Sequence, residues 1–432
     1  MTTRIIVIHP HLKKPPSDEN AARSPEARLE EAVSLSAAIK GTEVISQHII
    51  SLQHYEPSTL LTSGHVANIK EEVADQEIDL VIVDRDLSPG QQRNLEKKWK
   101  TKVIDRTGLI LEIFGARAQT KEGQLQVELA ALTFQRSRLV RSWTHLERQR
   151  GGFGFIGGPG ETQIEIDRRL ISEKITKLKG DLEKVRKARK LQRKARKSVP
   201  YPIVALVGYT NAGKSTLFNA MTGESVFAKD LLFATLDTTM RAIELDDHIK
   251  VILSDTVGFI SDLPTHLIAA FRATLEEVQQ ADIILHVRDI ASDQSEAEKQ
   301  DVLDTLDQLE IDTHKSENIY EVWNKIDLLD ADEQQAVMNA AERDNTIIPV
   351  SAIKKRNLDT LKNIIISHLK ETYETVEVKI DYTDGDVTSW VHEHCSILER
   401  RDEKDGVYFK IEAAPATIDK LYSLLGKSER TA

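Results

Sequence analysis

Four short blocks carry the chemistry of this chain. The first is Gly208-Tyr209-Thr210-Asn211-Ala212-Gly213-Lys214-Ser215-Thr216, a G-x-x-x-x-G-K-S spacing. Its glycines let the backbone fold tightly enough for successive N–H groups to converge on phosphate oxygens. Lys214 can then reach the β- and γ-phosphates of a nucleotide, and the Ser215 hydroxyl can ligate Mg²⁺. The second block is Asp255-Thr256-Val257-Gly258, whose carboxylate can hold Mg²⁺ through water and whose Gly258 N–H can meet the γ-phosphate. The third, Asn324-Lys325-Ile326-Asp327, chooses the base. Guanine presents two donors, N1–H and the 2-amino group, and Asp327 can accept both. Adenine would leave that carboxylate unpaired, a mismatch worth about 10⁴–10⁵ in selectivity. The Lys325 stem can lie over the purine, and Asn324 can brace the phosphate loop. Ser351-Ala352-Ile353 is the fourth block, with the Ser351 and Ala352 N–H groups expected to meet guanine O6. In this order the blocks predict a protein that binds GTP and hydrolyses it to GDP and phosphate, with Lys214, Asp255 and Gly258 in catalytic roles.

Two positions qualify that chemistry. Asn211 stands where K⁺-dependent GTPases place a ligating asparagine, which makes K⁺ a candidate activator beside Mg²⁺. Phe259 stands where Ras-like enzymes place a water-orienting glutamine. A phenyl ring cannot hydrogen-bond water, so slow intrinsic turnover is expected, with a partner completing the site.

The blocks need a frame. Pro202 to Val207 reads as a buried parallel strand and Leu217 to Met221 as a helix, the proper flanks of a phosphate loop. Arg241 to Leu245 and Ile249 to Leu253 read as a hairpin about Asp246-Asp247-His248. Further strands at Ile283 to Val287, Ile319 to Trp323 and Thr346 to Val350 run into the third and fourth blocks or precede them. The fold class expected is α/β, a doubly wound sheet with every motif at a strand C-terminus.

Four units are expected: an N-terminal α/β domain over 1–118, a helical hairpin over 119–199, the nucleotide domain over 200–371 and a small α+β domain over 372–432. In the first, Arg4 to Ile8, Leu80 to Val83 and Lys102 to Ile104 read as strands and Pro25 to Ile39 as a helix. Gly64-His65 reads as a turn with a solvated histidine. In the second, Leu125, Leu129, Leu132, Leu139, Trp143 and Leu146 share a 4-3 spacing with Ile171, Ile175, Leu178, Leu182 and Val185, so two helices should bury their stripes together. A glycine-rich connection, Gly151 to Gly160, carries Phe153, Phe155 and Ile156 and reads as a recognition loop. Lys184 to Lys197 has no acidic residue and is either a polyanion footprint or a solvated helical linker. In the fourth, Val376 to Ile380 and Gly406 to Glu412 read as strands, Asp386 to Glu399 and Thr417 to Leu425 as helices.

The net charge of −11 argues against indiscriminate nucleic-acid binding, and one cysteine, Cys395, excludes an intrachain disulfide or a multi-cysteine metal site. The apolar run at Met1 to Ile8 is too short for a signal peptide and no stretch is long enough to span a membrane, so a cytoplasmic monomer without membrane insertion is expected.

These blocks resemble the translation-factor class of P-loop GTPases, and Phe233-Ala234-Thr235-Leu236-Asp237 resembles the switch I segment of the HflX family within the Obg–HflX group. By that resemblance Thr235 is a catalytic residue and Mg²⁺ ligand in the GTP state. Further similarity lies at Leu87 to Leu95, Asp105 to Leu111, Glu122 to Ala130, Trp143 to Gly152 and Gly158 to Gln163. The resemblance implies a GTPase that associates with the large ribosomal subunit and its RNA and can dissociate ribosomes under stress. Arg288 departs from it, since the family commonly has a small apolar residue there, and altered local packing is expected. Ser63-Gly64-His65 departs too, where a Gly/Lys turn is usual. Two alternatives remain: a GTPase acting on another RNA, in ribosome assembly or tRNA modification, and a nucleotide-gated adaptor with little turnover.

Overall fold

The computed structural model describes residues 2–13, 23–149, 159–196, 201–223, 233, 239–246, 249–262, 278–311 and 318–426. The N-terminal sheet has the order β2-β1-β3-β4, all parallel, from β1 (Thr3–Leu12), β2 (Thr42–Leu52), β3 (Leu80–Val83) and β4 (Lys102–Asp105). Side chains alternate across a strand, and β1 shows what that does here. Ile5 and Val7 face a core with α1 (Pro25–Ala37) and α4 (Arg106–Arg117), whereas Ile6 and Ile8 face one with α2 (Ser63–Asp75) and α3 (Pro89–Trp99). The sheet is covered on both faces, so its two central strands carry continuous apolar runs, Ile5 to Ile8 and Leu80 to Val83. Helix starts are locally encoded. Ser24 caps α1 through the Ala27 N–H (3.1 Å) with Pro25 following, and Ser88 forms a reciprocal capping box with Gln91. Gly64-His65 is a correction: it lies in the first turn of α2, and His65 Nδ1 is 2.8 Å from the hydroxyl of the N-cap Thr62.

Helices α5 (Lys121–Gln149) and α6 (Pro159–Arg196) pack together through Leu125, Leu178 and Leu182, joined by Leu129, Leu132 and Val185. The expected seam is present in these residues. Helix α5 also carries a second apolar face, Val127, Ala130, Ala131 and Phe134, on the α1/α4 core. Pro159 and Gly160 begin α6, so the connection is shorter than its glycines suggest. Residues 150–158, which hold the Phe153 and Phe155 expectation, lie outside the described residues, as do 197–200. Within the basic stretch, Lys184 pairs with Asp181 at 2.8 Å and Lys187 with Glu183 at 3.8 Å.

The central sheet has the order β10-β9-β8-β5-β7-β6. Its strands are β5 (Ile203–Val207), β6 (Thr239–Asp246), β7 (Ile249–Asp255), β8 (Ile283–Asp289), β9 (Ile319–Asn324) and β10 (Ile347–Pro349). Only the β6–β7 pair is antiparallel, the hairpin expected from sequence. Register sets the chemistry: Leu206 pairs with Asp255 on one side of β5, Val207 with His286 on the other, and Asp289 with Asn324. The phosphate loop, the D-x-x-G block and the N-K-x-D block therefore emerge side by side at the carboxyl edge.

The C-terminal sheet is antiparallel, in the order β11 (Glu374–Ile380), β13 (Gly406–Ala413), β12 (Ser396–Glu403). The helix expected to reach Glu399 stops at His394, and Ser396 to Glu403 is the strand β12. Cys395 takes extended backbone and is buried, which ends the helix. Six of the eight β12 residues are exposed, so no alternation marked it as a strand.

Candidate active site

Each glycine of the phosphate loop has a steric reason. A Cβ on Gly208 would lie 2.2 Å from the Val287 carbonyl oxygen, and one on Gly213 would lie 2.2 Å from Asn324 Nδ2. Gly213 and Asn211 both have positive φ, 93° and 62°, which glycine and asparagine tolerate best. Lys214 opens helix α7 (Lys214–Thr222), and its buried ammonium donates to the Gly208 and Tyr209 carbonyls at 2.9 and 2.7 Å. Burial pulls its pKa down to about 8, against the opposing pull of Asp255 and Glu298. A nearly desolvated cation at a helix N-terminus is a strong receptor for phosphate.

Ser215 Oγ donates to Asp255 Oδ2 at 2.7 Å. Two hard oxygen donors touching at the mouth of the loop suit Mg²⁺, which keeps several waters and leans on substrate phosphates rather than on a full protein cage. Among the described residues there is no group of three or more His, Cys, Asp or Glu that could hold a metal ion. Thr235, with Ala234, Leu236 and Asp237, lies outside the described residues. Phe233 is described. It is buried at a positive φ of 56°, with its ring edge-on to Phe114 at 4.7 Å.

At the base end, Asn324 does what its position predicts. Its Nδ2 donates to the Ala212 carbonyl at 2.9 Å, and its Oδ1 accepts from the Ala352 N–H at 3.0 Å. One buried side chain thus braces the phosphate loop and the Ser351-Ala352-Ile353 loop together. The Ser351 hydroxyl supports Asp327 Oδ1 at 2.5 Å. One expectation needs correcting at the level of atoms. The Ala352 N–H is engaged by Asn324, and the Ser351 N–H donates to the Arg356 carbonyl at 3.2 Å, so both amides assigned to guanine O6 already have protein partners. Spacing alone missed Asp289, which holds Lys325 Nζ at 2.6 Å and so directs its stem.

Arg288 is accommodated rather than disruptive. Its buried guanidinium bonds Glu321 at 2.6 Å, Ser295 at 3.2 Å and Glu296. Burial pushes the Glu321 carboxyl up, but hydrogen bonds from Lys299, Trp323 and Arg288 outweigh it and bring it down to about 2. Neighbouring His286, fully buried, is driven by desolvation to about 3 and is neutral.

The phosphate end reaches out of its own sheet. The segment after Gly258 is laced to the phosphate loop, with Thr210 N–H donating to the Phe259 carbonyl (2.7 Å) and Phe259 N–H to that of Gly208 (3.1 Å). The Phe259 ring is 1% exposed and sits in the core, so it cannot reach a nucleotide. The Tyr209 hydroxyl accepts from Ser261 N–H at 2.8 Å and Arg23 Nη1 at 2.6 Å, and donates to Glu31. Arg106 donates to the Ser261 carbonyl (3.0 Å) and hydroxyl (2.8 Å), to Glu31 (2.9 Å) and to Asp84 (2.5 Å). Arg23 pairs with Asp301 at 2.7 Å and Arg28 with Asp262 at 2.8 Å. Burial alone would disfavour the Arg106 charge, but Asp84 and Glu31 hold its pKa well above the usual arginine value. None of Glu31, Arg106, Arg23 or Ser261 was singled out for the site from sequence. Arg106 stands in the Asp105 to Leu111 block of family likeness, the one signal available, yet its contact lies 155 residues away.

Comparison with known proteins agrees with this geometry. Family models match in succession: "GTP-binding GTPase N-terminal" over 26–115, "GTP-binding GTPase Middle Region" over 117–196, "50S ribosome-binding GTPase" over 203–325 and "HflX C-terminal domain" over 336–432. A GTPase HflX of Magnetococcus marinus is 48% identical over 393 residues, spanning 91% of this chain and 89% of that protein. The chain belongs to the HflX family of GTPases. The HflX GTPase of Escherichia coli is 42% identical, spanning 87% of this chain and 86% of its own. Among solved structures, a GTP-binding protein of the archaeon Sulfolobus solfataricus in complex with GDP aligns with a TM-score of 0.44 and 24% identity, over 85% of this chain and 98% of that one. As an HflX GTPase the chain binds GTP and hydrolyses it. No helix among the described residues is long and apolar enough to cross a membrane.

Proposed function

We propose that this HflX GTPase is a nucleotide-driven switch that binds the large ribosomal subunit, contacts its RNA and dissociates ribosomes. The observation that carries the reading is the joint at Tyr209 and Ser261. It ties both the phosphate loop and the γ-phosphate-sensing segment to Glu31 and Arg106 of the N-terminal unit. A change at the phosphates is thereby transmitted to the surface outside the nucleotide domain. The match of residues 203–325 to the 50S ribosome-binding GTPase family supports the class of partner.

In this reading the chain comprises four units, 1–118, 119–199, 200–371 and 372–432. The N–H groups of Asn211, Gly213, Lys214, Ser215 and Thr216 and the Lys214 ammonium hold the phosphates, Asp327 and Lys325 hold guanine, and Gly258 N–H senses the γ-phosphate. Mg²⁺, held by Ser215 and Thr235 with Asp255 behind, would offset charge developing on the phosphates. K⁺ at Asn211 would add to that, a role compatible with the exposed position of this residue. Cycling between GTP and GDP sets ribosome affinity, and the protein works as a cytoplasmic monomer.

The test is co-sedimentation with separated large subunits, with GDP and with a non-hydrolysable GTP analogue, alongside light scattering of intact ribosomes. Binding favoured by the analogue and a fall in scattering are expected. Nucleotide-independent binding, or none, would return the role to another RNA or to an adaptor.

A further inference from the structure

Outside the nucleotide pocket, the turn from Ser351 to Arg356 carries a charge that its surroundings do not answer. Lys354, Lys355 and Arg356 are consecutive and exposed, and among the described residues their side chains have no ion pair or hydrogen bond. The acids around them are engaged elsewhere. Asp327 is held by Ser351, Asp330 and Glu333 close the capping box of the helix Ala331–Arg343, and Asp359 pairs with Lys362 at 4.0 Å. In a chain of net charge −11, three unanswered cations side by side form a patch that faces an anion.

The backbone fixes these cations in place, against a steric preference. Ser351 and Arg356 exchange N–H to carbonyl bonds at 3.2 and 3.0 Å, and the Lys354 N–H donates to Ser351 Oγ at 3.1 Å. Lys355 has φ 54° and Asn357 has φ 59°. Asparagine tolerates that left-handed region, whereas lysine is disfavoured there and glycine would serve the turn better. A charged side chain at a position that favours glycine points to a use for the charge. Beside the turn lies a cavity of about 440 Å³, lined by Ile326, Gln334, Val337, Met338, Arg356 and Asn357. Its volume lies in the range of small-ligand pockets, about 300–1,000 Å³. Lys325 and Asp327, the side chains assigned to guanine, do not line it, so it is a separate cavity that shares Ile326 with the base-selecting block. Ile326, Val337 and Met338 give it apolar walls, and Arg356 joins it to the strip of cations.

We propose that this turn and cavity are an RNA site of the nucleotide domain, taking one unpaired nucleotide of a single strand. The base enters between Ile326, Val337 and Met338, and the phosphates on either side of it meet Lys354, Lys355 and Arg356. An apolar slot beside a strip of cations fits a polyanion that carries flat apolar groups, which is the chemistry of single-stranded RNA. The choice of RNA over an acidic peptide rests on the ribosomal reading above.

Methyl spectra of the full chain, labelled at its four methionines and saturated with GDP, test this because Met338 lines the cavity. An oligoadenylate of about ten nucleotides should shift the Met338 signal, assigned with Met338→Leu, because the entering base places its ring current on the methyl. Combining Lys354→Ala, Lys355→Gly and Arg356→Ala should weaken the titration read at Met338 by about tenfold or more. Its salt slope should fall by about 2, at about 0.7 per phosphate on a single strand. Lys355→Gly alone should hold or raise folding stability, since it removes the left-handed strain, yet weaken that titration by about threefold. Reading at Met338 keeps the basic stretch of the hairpin out of the measurement. A Met338 signal that oligoadenylate leaves in place, or equal titrations in wild type and the combined variant, would overturn the assignment. So would a shift produced by an aspartate-rich peptide containing phenylalanine and not by oligoadenylate. Should the combined variant unfold, Lys355→Gly carries the same refutation. Co-sedimentation of the wild type keeps the two readings apart. Sedimentation with large subunits beside an unmoved Met338 signal sinks this site alone, and a shifted signal without sedimentation sinks the ribosomal reading alone.

Discussion

The two ends of the nucleotide site are built on opposite plans. The base end is closed within its own sheet. Asn324 holds the Ala212 carbonyl and the Ala352 N–H, Ser351 holds Asp327, and Asp289 holds Lys325, all between residues of the central sheet's own loops and strands. The phosphate end is shared. Tyr209 and Ser261 cannot complete their hydrogen bonds without Glu31, Arg23 and Arg106 from the other end of the chain. The difference separates selection from transmission: one end recognises a base by itself, the other reports phosphate state to a second body. The contrast makes quantitative demands.

The largest effect belongs to the base end. Asp327→Asn should weaken guanine nucleotides by about 10⁴ and shift preference toward xanthine, whose 2-oxo group accepts where guanine donates. Fluorescent-nucleotide titration reads this, and equal GTP binding would remove Asp327 from the site.

Next comes Arg106→Met. It takes the arginine from Asp84, which keeps His9, and from Glu31, which keeps the Tyr209 and Ser261 hydroxyls, and the loss of one member of a buried ion network costs about 3–5 kcal/mol of folding stability. Denaturant unfolding should show that loss, with guanine affinity within about threefold because no base-end contact involves Arg106. A fall in guanine affinity as large as that of Asp327→Asn would dissolve the distinction between the ends.

Tyr209→Phe is smaller. It leaves Arg23, Glu31 and the Ser261 N–H each one partner short, about 1–3 kcal/mol in total. Hydrogen exchange should quicken at Ser261 and remain unchanged at Ala352. Equal acceleration at both would show that the two ends are not independent.

The smallest effect is a protonation. Lys214 titrates near 8 in the folded chain against 10.5 for an unperturbed lysine. Between those values the unfolded chain holds a proton that the folded one has released, so this group's contribution to stability rises with pH across the window and is least favourable below it. Phosphates should restore the charge. Above pH about 8, GTP binding should take up as much as one proton and weaken as pH rises, visible by calorimetry in buffers of different ionisation enthalpy. Heats independent of buffer would contradict a depressed Lys214.

How legible each part was follows from the range of its interactions. The base end is a local code, since strand, turn and motif lie within a few residues and the Asn324 brace could be read from its type and place. The apolar seam of α5 and α6 was equally local. Strand β2 went unread because its apolar and polar residues do not alternate and only Ile50 and Leu52 are buried, and β12 because its charged, exposed residues resemble a helix surface. The Arg106 and Glu31 contacts were beyond any spacing rule, because only the docking of two sheets brings them to Ser261. The atom-level exchange at Ala352, whose N–H serves Asn324, was hidden because a motif fixes residues and not partners.

Helix α6 has a mechanical consequence. Its buried residues are Ile175, Leu178 and Leu182, while it begins at Pro159. At 1.5 Å per residue, the stretch from Ile175 back to Pro159 extends about 24 Å beyond that fulcrum. A swing of about 10° at the fulcrum would carry the Pro159 end through roughly 4 Å along this rigid lever. A sub-ångström adjustment at Ser261, too slight to matter within the nucleotide pocket, would need only to tilt that fulcrum to be felt as a displacement the size of a nucleobase.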